Sequence, residues 1–189
     1  MRALSTMLLT AAALALAGSA QAQTRDGLYV GFGAGYGSAK VEFEDLDLDE
    51  REGALTGNIR VGTTIGDRAL AGLELNGWFD SEDNDSLSLY NATLALYYYP
   101  ADSGLFVKGG VGLSRADVEV GDLDENVSGV GWGVMAGLGY DIAISDSAAL
   151  TPMATFWYGK PGDLKVDDIE VIREFKHNVF EAGLSVTFY

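Results

Sequence analysis

Apolar and polar residues alternate with period two along most of the chain beyond residue 27. The last stretch shows it best. Phe180, Ala182, Leu184, Val186 and Phe188 are apolar, while Glu181, Gly183, Ser185 and Thr187 between them are small or polar. Such alternation predicts a strand with two unlike faces. The same pattern recurs over Leu28 to Tyr36, Leu55 to Ile65, Ala69 to Phe79, Tyr90 to Tyr99, Leu105 to Ser114, Val130 to Asp141 and Leu150 to Tyr158. Short turns at Gly66-Asp67-Arg68, Pro100 to Gly104 and Ser145-Asp146-Ser147 alternate with long connections at Glu42 to Glu52, Asp80 to Ser86, Asp117 to Asn126 and Lys160 to Glu174. A chain ending on a strand leaves an exposed sheet edge. The first segment is expected to cover it, closing an eight-stranded antiparallel up-and-down barrel.

The two faces decide what surrounds that barrel, because soluble barrels can have eight strands too. No residue on the apolar faces is charged, although 21% of the chain is. Water would impose no such exclusion, but a Lys or Arg facing lipid at mid-depth costs about 2–4 kcal/mol. The other faces carry Arg60, Glu74, Lys108, Glu181 and many glycines, which predicts a polar, crowded interior. On the apolar face Tyr36, Phe79, Tyr90, Trp132, Tyr158 and Phe180 fall at one end of their segments, and Tyr98, Tyr140 and Phe188 at the other. Amphipathic rings favour those two membrane depths. Each segment is about 9–11 residues, enough to cross a bilayer at a tilt.

The N-terminus adds a route. Met1-Arg2 precedes an apolar run from Leu4 to Ala17, and Ser19-Ala20-Gln21-Ala22 offers an Ala-x-Ala exit. This predicts a signal peptide over residues 1–22, cleaved between Ala22 and Gln23, with a barrel domain over 23–189. The chain has 0 Cys, which removes disulfide, zinc-thiolate and thiol-nucleophile chemistry. Its net charge of −16 argues against nucleic-acid binding, which needs a basic patch. The run Gly31-Phe32-Gly33-Ala34-Gly35 is no phosphate loop, since no helical period follows it.

Several stretches are similar to the small eight-stranded outer-membrane β-barrels of the OmpA/OmpX type. They are Gly27-Leu28-Tyr29-Val30-Gly31, Ala71-Gly72-Leu73-Glu74-Leu75, Val107-Lys108-Gly109-Gly110-Val111-Gly112, Gly133-Val134-Met135-Ala136-Gly137-Leu138-Gly139-Tyr140 and the terminal Gly183 to Phe188. Tyr189 trails the lipid-face register of Phe188 and falls on the opposite one. The resemblance implies residence in the cell outer membrane and contact with its lipid and lipopolysaccharide. It also implies handling by the barrel-assembly machinery through the C-terminal strand, and a monomer; no cofactor is expected, and no enzyme activity, for want of catalytic residues. The expected role is structural, in envelope integrity, with acidic surface loops for cell-surface contacts; a narrow pore for ions or small solutes is the alternative.

Four residues carry the chemistry expected inside. Counting back from the Gly66-Asp67-Arg68 turn, with Ile65 opposite Ala69, sets Arg60 opposite Glu74. Directly opposed residues have Cβ atoms about 5 Å apart, so an ion pair is expected there. Lys108 and Glu181 add one charge of each sign to this barrel-interior network. His177, the one histidine, is followed by Asn178 and Val179, and Ser185 lies eight residues on. It reads as an exposed histidine at a loop end, not as a catalytic base. Most of the 28 carboxylates sit in the four long connections. Asp80, Glu82, Asp83 and Asp85 have the hint of a calcium loop, but it lacks the sixth-place glycine and has Asn91 where the twelfth-place glutamate belongs. Loose divalent-cation binding is the most this run implies. Asn91-Ala92-Thr93 matches a glycosylation pattern but lies within a predicted strand.

Overall fold

In the computed structural model, described over residues 25–43, 46–47, 51–82, 85–101, 103–119, 126–166 and 169–189, the eight alternating segments are eight long antiparallel strands. They are β1 (Leu28–Phe43), β2 (Glu52–Gly66), β3 (Ala69–Glu82), β4 (Asp85–Tyr98), β5 (Leu105–Glu119), β6 (Asn126–Tyr140), β7 (Ala148–Val166) and β8 (Ile169–Phe188). Each pairs with the next, and β8 returns to pair with β1 from Val30–Phe188 to Glu42–Lys176. The terminal edge is therefore covered as the alternation required, and closure leaves no edge for lipid to meet. Two short strands add to this, Leu46–Asp47 against the end of β1 and Ile142–Ser145 against the start of β7.

The strands climb steeply. Paired residues lead from Val30 through Val61, Leu73, Leu94, Val111, Val134, Tyr158 and Asn178 back to β1 at Lys40, ten residues beyond the start. A circuit that gains this much over eight strands tilts them by about 40° to the axis.

The strands outrun the segments read from the sequence. Asp80 to Ser86 is almost wholly a continuous hairpin, with Asp80 opposite Leu87 and Glu82 opposite Asp85. Likewise β5 and β6 pair out to Glu119 and Asn126, and β8 begins at Ile169. Beyond the lipid the outward positions can be polar while the ladder continues, so charge marks the membrane boundary and not the strand end. At Gly66 the turn is tighter than three residues. Gly66 pairs with Ala69, and Ile65 is the extra residue of a bulge. Above the bulge the ladder keeps the expected register, with Arg60 opposite Glu74.

The outward face is apolar and exposed, with Leu94 at 69%, Val111 at 63% and Leu184 at 55%. Outer-girdle rings touch in pairs across neighbouring strands: Phe79 with Tyr90, Trp132 with Tyr158 and Phe156 with Phe180, centroids 5.6, 5.5 and 4.6 Å apart. The interior is less purely polar than its glycines and charges imply. It has three storeys. Tyr29, Tyr97, Tyr99, Phe106 and Tyr189 fill the end with the short turns. Charged and amide side chains fill the middle, and Trp78, Leu89, Trp157, Phe175 and Val179 fill the end with the long hairpins.

Candidate functional site: the charged lumen

Three of the four predicted charges cluster in the barrel just above the lower aromatics. Glu74 points inward from β3 and is 1% exposed. Its Oε1 accepts from Lys108 Nζ on β5 at 2.5 Å, and its Oε2 accepts a hydrogen bond from the Tyr97 hydroxyl on β4. Arg60 stands directly across the ladder, but its guanidinium turns the other way. Nη2 donates to Thr187 Oγ1 at 2.5 Å and to Ser185 Oγ at 3.3 Å, both on β8. The expected Arg60–Glu74 pair is thus in register and not made; Lys108 takes the carboxylate. The physical reason is direction. Ladder register fixes where the Cβ atoms lie, but a long side chain can lean either way along the strand or across a narrow lumen.

Gly31 makes room for this arrangement. A Cβ there would lie 2.6 Å from Arg60 Nε. The glycines that alternate along β1 are therefore a trough for larger neighbours. Glu181 is buried on β8 opposite Thr155, and among the described residues it forms no ion pair with Lys108 or Arg60. Asn58, Asn76 and Asn91 sit side by side across β2, β3 and β4, all buried, and continue the polar layer upward.

The lower mouth is gathered on one carboxylate that sequence reasoning missed. Asp141 Oδ2 accepts from the hydroxyls of Tyr99 at 2.8 Å and Tyr189 at 2.7 Å, and Oδ1 from Thr151 at 2.7 Å. Arg25 Nε lies 3.3 Å from Oδ2, and its guanidinium stacks 3.9 Å over the Tyr99 ring. Burial, reinforced by Asp141, holds the Tyr99 and Tyr189 phenols above their ordinary range, so both stay protonated donors. The register of Tyr189 was the available signal: a terminal aromatic off the lipid face must point inward.

His177 corrects the sequence reading. It is 1% exposed, not at an exposed loop end, because β8 extends past the girdle and His177 keeps the inward parity of Val179. Its ring lies edge-on to Trp157, 5.5 Å between centroids, in space that Gly159 leaves open. Nε2 is 3.4 Å from Ser114 Oγ on β5, not near Ser185. Ser114 also donates to the Tyr90 carbonyl at 3.2 Å, and His177 Nδ1 has no hydrogen-bond partner. A nucleophile–base pair needs a third group to orient the base and a path for substrate. This buried pair has neither among the described residues.

Of the acidic run, Asp80 and Glu82 end β3 and Asp85 opens β4, while Asp83 lies outside the described residues. No cluster of three His, Cys, Asp or Glu side chains with metal-binding spacing occurs among the described residues. The predicted signal peptide over residues 1–22 also lies outside them.

A closed barrel with an apolar exterior, two aromatic girdles and a lumen filled with buried polar, charged and aromatic side chains is a transmembrane β-barrel. The outer membrane protein beta-barrel domain family matches residues 7–188, and the chain belongs to that family. Among curated proteins no sequence match is found. Solved structures similar in fold include two outer-membrane proteins. Neisserial surface protein A (NspA) has 20% identity and a TM-score of 0.57, over 86% of this chain and 97% of that one. Ail, the attachment invasion locus protein of Yersinia pestis, has 14% identity and a TM-score of 0.58, over 86% and 99%.

Proposed function

We propose that this outer-membrane barrel is a closed structural element of the envelope, non-conducting and non-catalytic, whose acidic outer hairpins serve cell-surface contacts. The observation that carries this reading is the dryness of the charged layer. Glu74, Arg60 and Lys108 are 1%, 3% and 5% exposed, and Asn76 and Asn91 are fully buried. A conducting lumen would wet these groups; here they meet one another, hydroxyls and rings. An eight-stranded barrel is just wide enough for side chains to fill. In this reading the leader is removed between Ala22 and Gln23, the assembly machinery engages the C-terminal strand, and the barrel stands as a monomer among outer-membrane lipids.

The alternative, a narrow pore, draws on the same charges. Single-channel recording of the refolded mature protein in a planar bilayer separates the two. A silent membrane is expected, with folding verified by a heat-modifiable gel shift. Discrete steps that change with Arg60→Ala or Lys108→Ala would establish the pore instead.

A further inference from the structure

Strands β7 and β8, of 19 and 20 residues, form a hairpin that bends where it leaves the girdle. Gly162 has φ +84°, and Glu174, next to its ladder partner Phe175, has φ +54°. A non-glycine residue in the left-handed region is uncommon. Glu174 is pinned there, since its N–H donates to Asp163 Oδ1 at 3.1 Å. The β7–β8 register shifts three times between Glu170 and His177, and the β6–β7 ladder is interrupted between the Trp132–Lys160 and Ser128–Lys165 pairs. Such irregularities bend a strand pair. Parity records the bend. Trp157 and Gly159 are buried at odd positions of β7, yet Leu164, at an even one, is fully buried too. Leu164 occupies the space over Gly129 of β6, where a Cβ would come within 2.6 Å of Cδ2. Phe175 is buried with its ring 5.5 Å from that of Phe43. The paired stretch beyond Gly162 and Glu174 is thus a hinged flap that rests on the outer mouth through two apolar side chains.

Beneath the flap lies His177, the one histidine of the chain, its ring 6.1 Å from that of Phe175. Ser114 Oγ gives its hydrogen to the Tyr90 carbonyl, so toward Nε2 it accepts. The imidazole is therefore the neutral tautomer with its hydrogen on Nε2, and Nδ1 is an acceptor without a partner. A proton on Nδ1 would place a charged donor where no acceptor stands. Among the described residues no titratable or charged side chain faces His177. The inward positions around it are Ala39 and Val41 on β1, Ser114 on β5, Trp157 and Gly159 on β7 and Phe175 on β8. Lys40, Glu42, Glu174 and Lys176 keep the outward parity of β1 and β8 and pair with one another there. The next inward carboxylate on its own strand is Glu181, about 13 Å down β8. His177 stands beyond the girdle ring of Phe180, and burial alone pushes its imidazole down to about 3.

We infer that the outer part of the β7–β8 hairpin is an acid-opened lid, in which a proton on His177 lifts Leu164 and Phe175 off the outer mouth. The closed lid excludes the proton. The open one puts the imidazole in water, where it binds a proton near pH 6.5. Closure is thus at full strength above pH 6.5 and weakens as pH falls from there toward 3. At pH 5 the ratio of open to closed rises by up to about thirtyfold over its neutral value. Opening bares His177 and Trp157 and leaves the charged layer of Glu74, Lys108 and Arg60 sealed farther down the lumen. The lid is therefore independent of whether the lumen conducts: a conducting channel would sink the structural reading and leave the lid standing.

Hydrogen exchange read by mass spectrometry tests this on the refolded mature protein in phosphatidylcholine nanodiscs at pH 7.5 and pH 5, with rates corrected for the intrinsic effect of pH. Protection of the peptide amides on either side of Gly162 and Glu174 is expected to fall about tenfold or more at pH 5. Protection of the membrane-spanning end of β8, from Gly183 to Phe188, is expected to hold. His177→Gln and His177→Phe are each expected to abolish the fall, and either serves if the other does not fold. Equal protection of the hairpin at both pH values in the unaltered protein would overturn the lid. A fall of the same size in the folded variants would assign the opening to the hinge carboxylates Asp163 and Glu174 and overturn the role of His177. A parallel loss over Gly183 to Phe188 would mean that the whole barrel loosens in acid, and would overturn the hinge.

Discussion

The two faces of each strand solve the burial of charge in opposite ways. Outward, between the girdles, there is no charge. Leu94 sits midway along β4 between Tyr98 of the inner girdle and Tyr90 of the outer one, and meets lipid with an apolar surface. Inward, one residue away on the same strand, Thr93 faces the charged layer of Glu74, Lys108 and Arg60. Both sides exclude water. The difference is that the inner side can supply partners and lipid cannot. A single face-to-face choice at each position therefore decides whether a charge is tolerated. The interior is specified by particular side-chain partners and the exterior by composition.

The largest expected effect comes from breaking a pair. Glu74→Ala leaves Lys108 buried without its carboxylate and removes the acceptor of Tyr97. It is expected to lower unfolding stability by about 3–5 kcal/mol, the usual penalty for an orphaned buried charge. Urea unfolding in lipid vesicles reads it, and an unchanged midpoint would reject the pair as a stabilising contact. Next comes a charge on the wrong face. Leu94→Lys is expected to destabilise by about 2–4 kcal/mol, because mid-depth lipid offers no partner. A cost near zero in the same assay would mean that this face does not meet lipid. The smallest effect concerns the lower mouth. Tyr189→Phe keeps the ring and removes one of several donors to Asp141, for a loss of about 1 kcal/mol. A much larger loss would show that the terminal hydroxyl holds the mouth as a unit with Tyr99 and Thr151.

What could be read in advance follows the same division. The outward face was legible because composition and parity suffice: Phe180 to Phe188 announce a lipid-facing strand with no knowledge of neighbours. Register near a turn was also legible, and Arg60 does lie opposite Glu74. Partnership was not. Lys108 reaches Glu74 from β5 while Arg60 turns to β8, and alternation carries no information about contacts across a lumen. Strand ends were misread for a different reason. The acidic stretches look like loops, yet β3, β5 and β8 run into them because hydrogen bonding does not stop where lipid stops. His177 was misplaced by that error alone. Extending the parity of Val179 by two residues turns it inward, beside Trp157. Tyr189 and Asp141 show that an aromatic out of step with the lipid face signals an interior contact.

The claim that the interior is specified by particular pairs is tested most directly by a double-mutant cycle on Glu74 and Lys108, run beside one on Glu74 and Arg60. Urea unfolding of the refolded barrel in vesicles would be measured for Glu74→Gln, Lys108→Met, Arg60→Met and the two doubles. A coupling of about 1–3 kcal/mol is expected for Glu74 with Lys108 and a clearly smaller one for Glu74 with Arg60. Additive effects for Glu74 with Lys108, or the stronger coupling to Arg60, would contradict it.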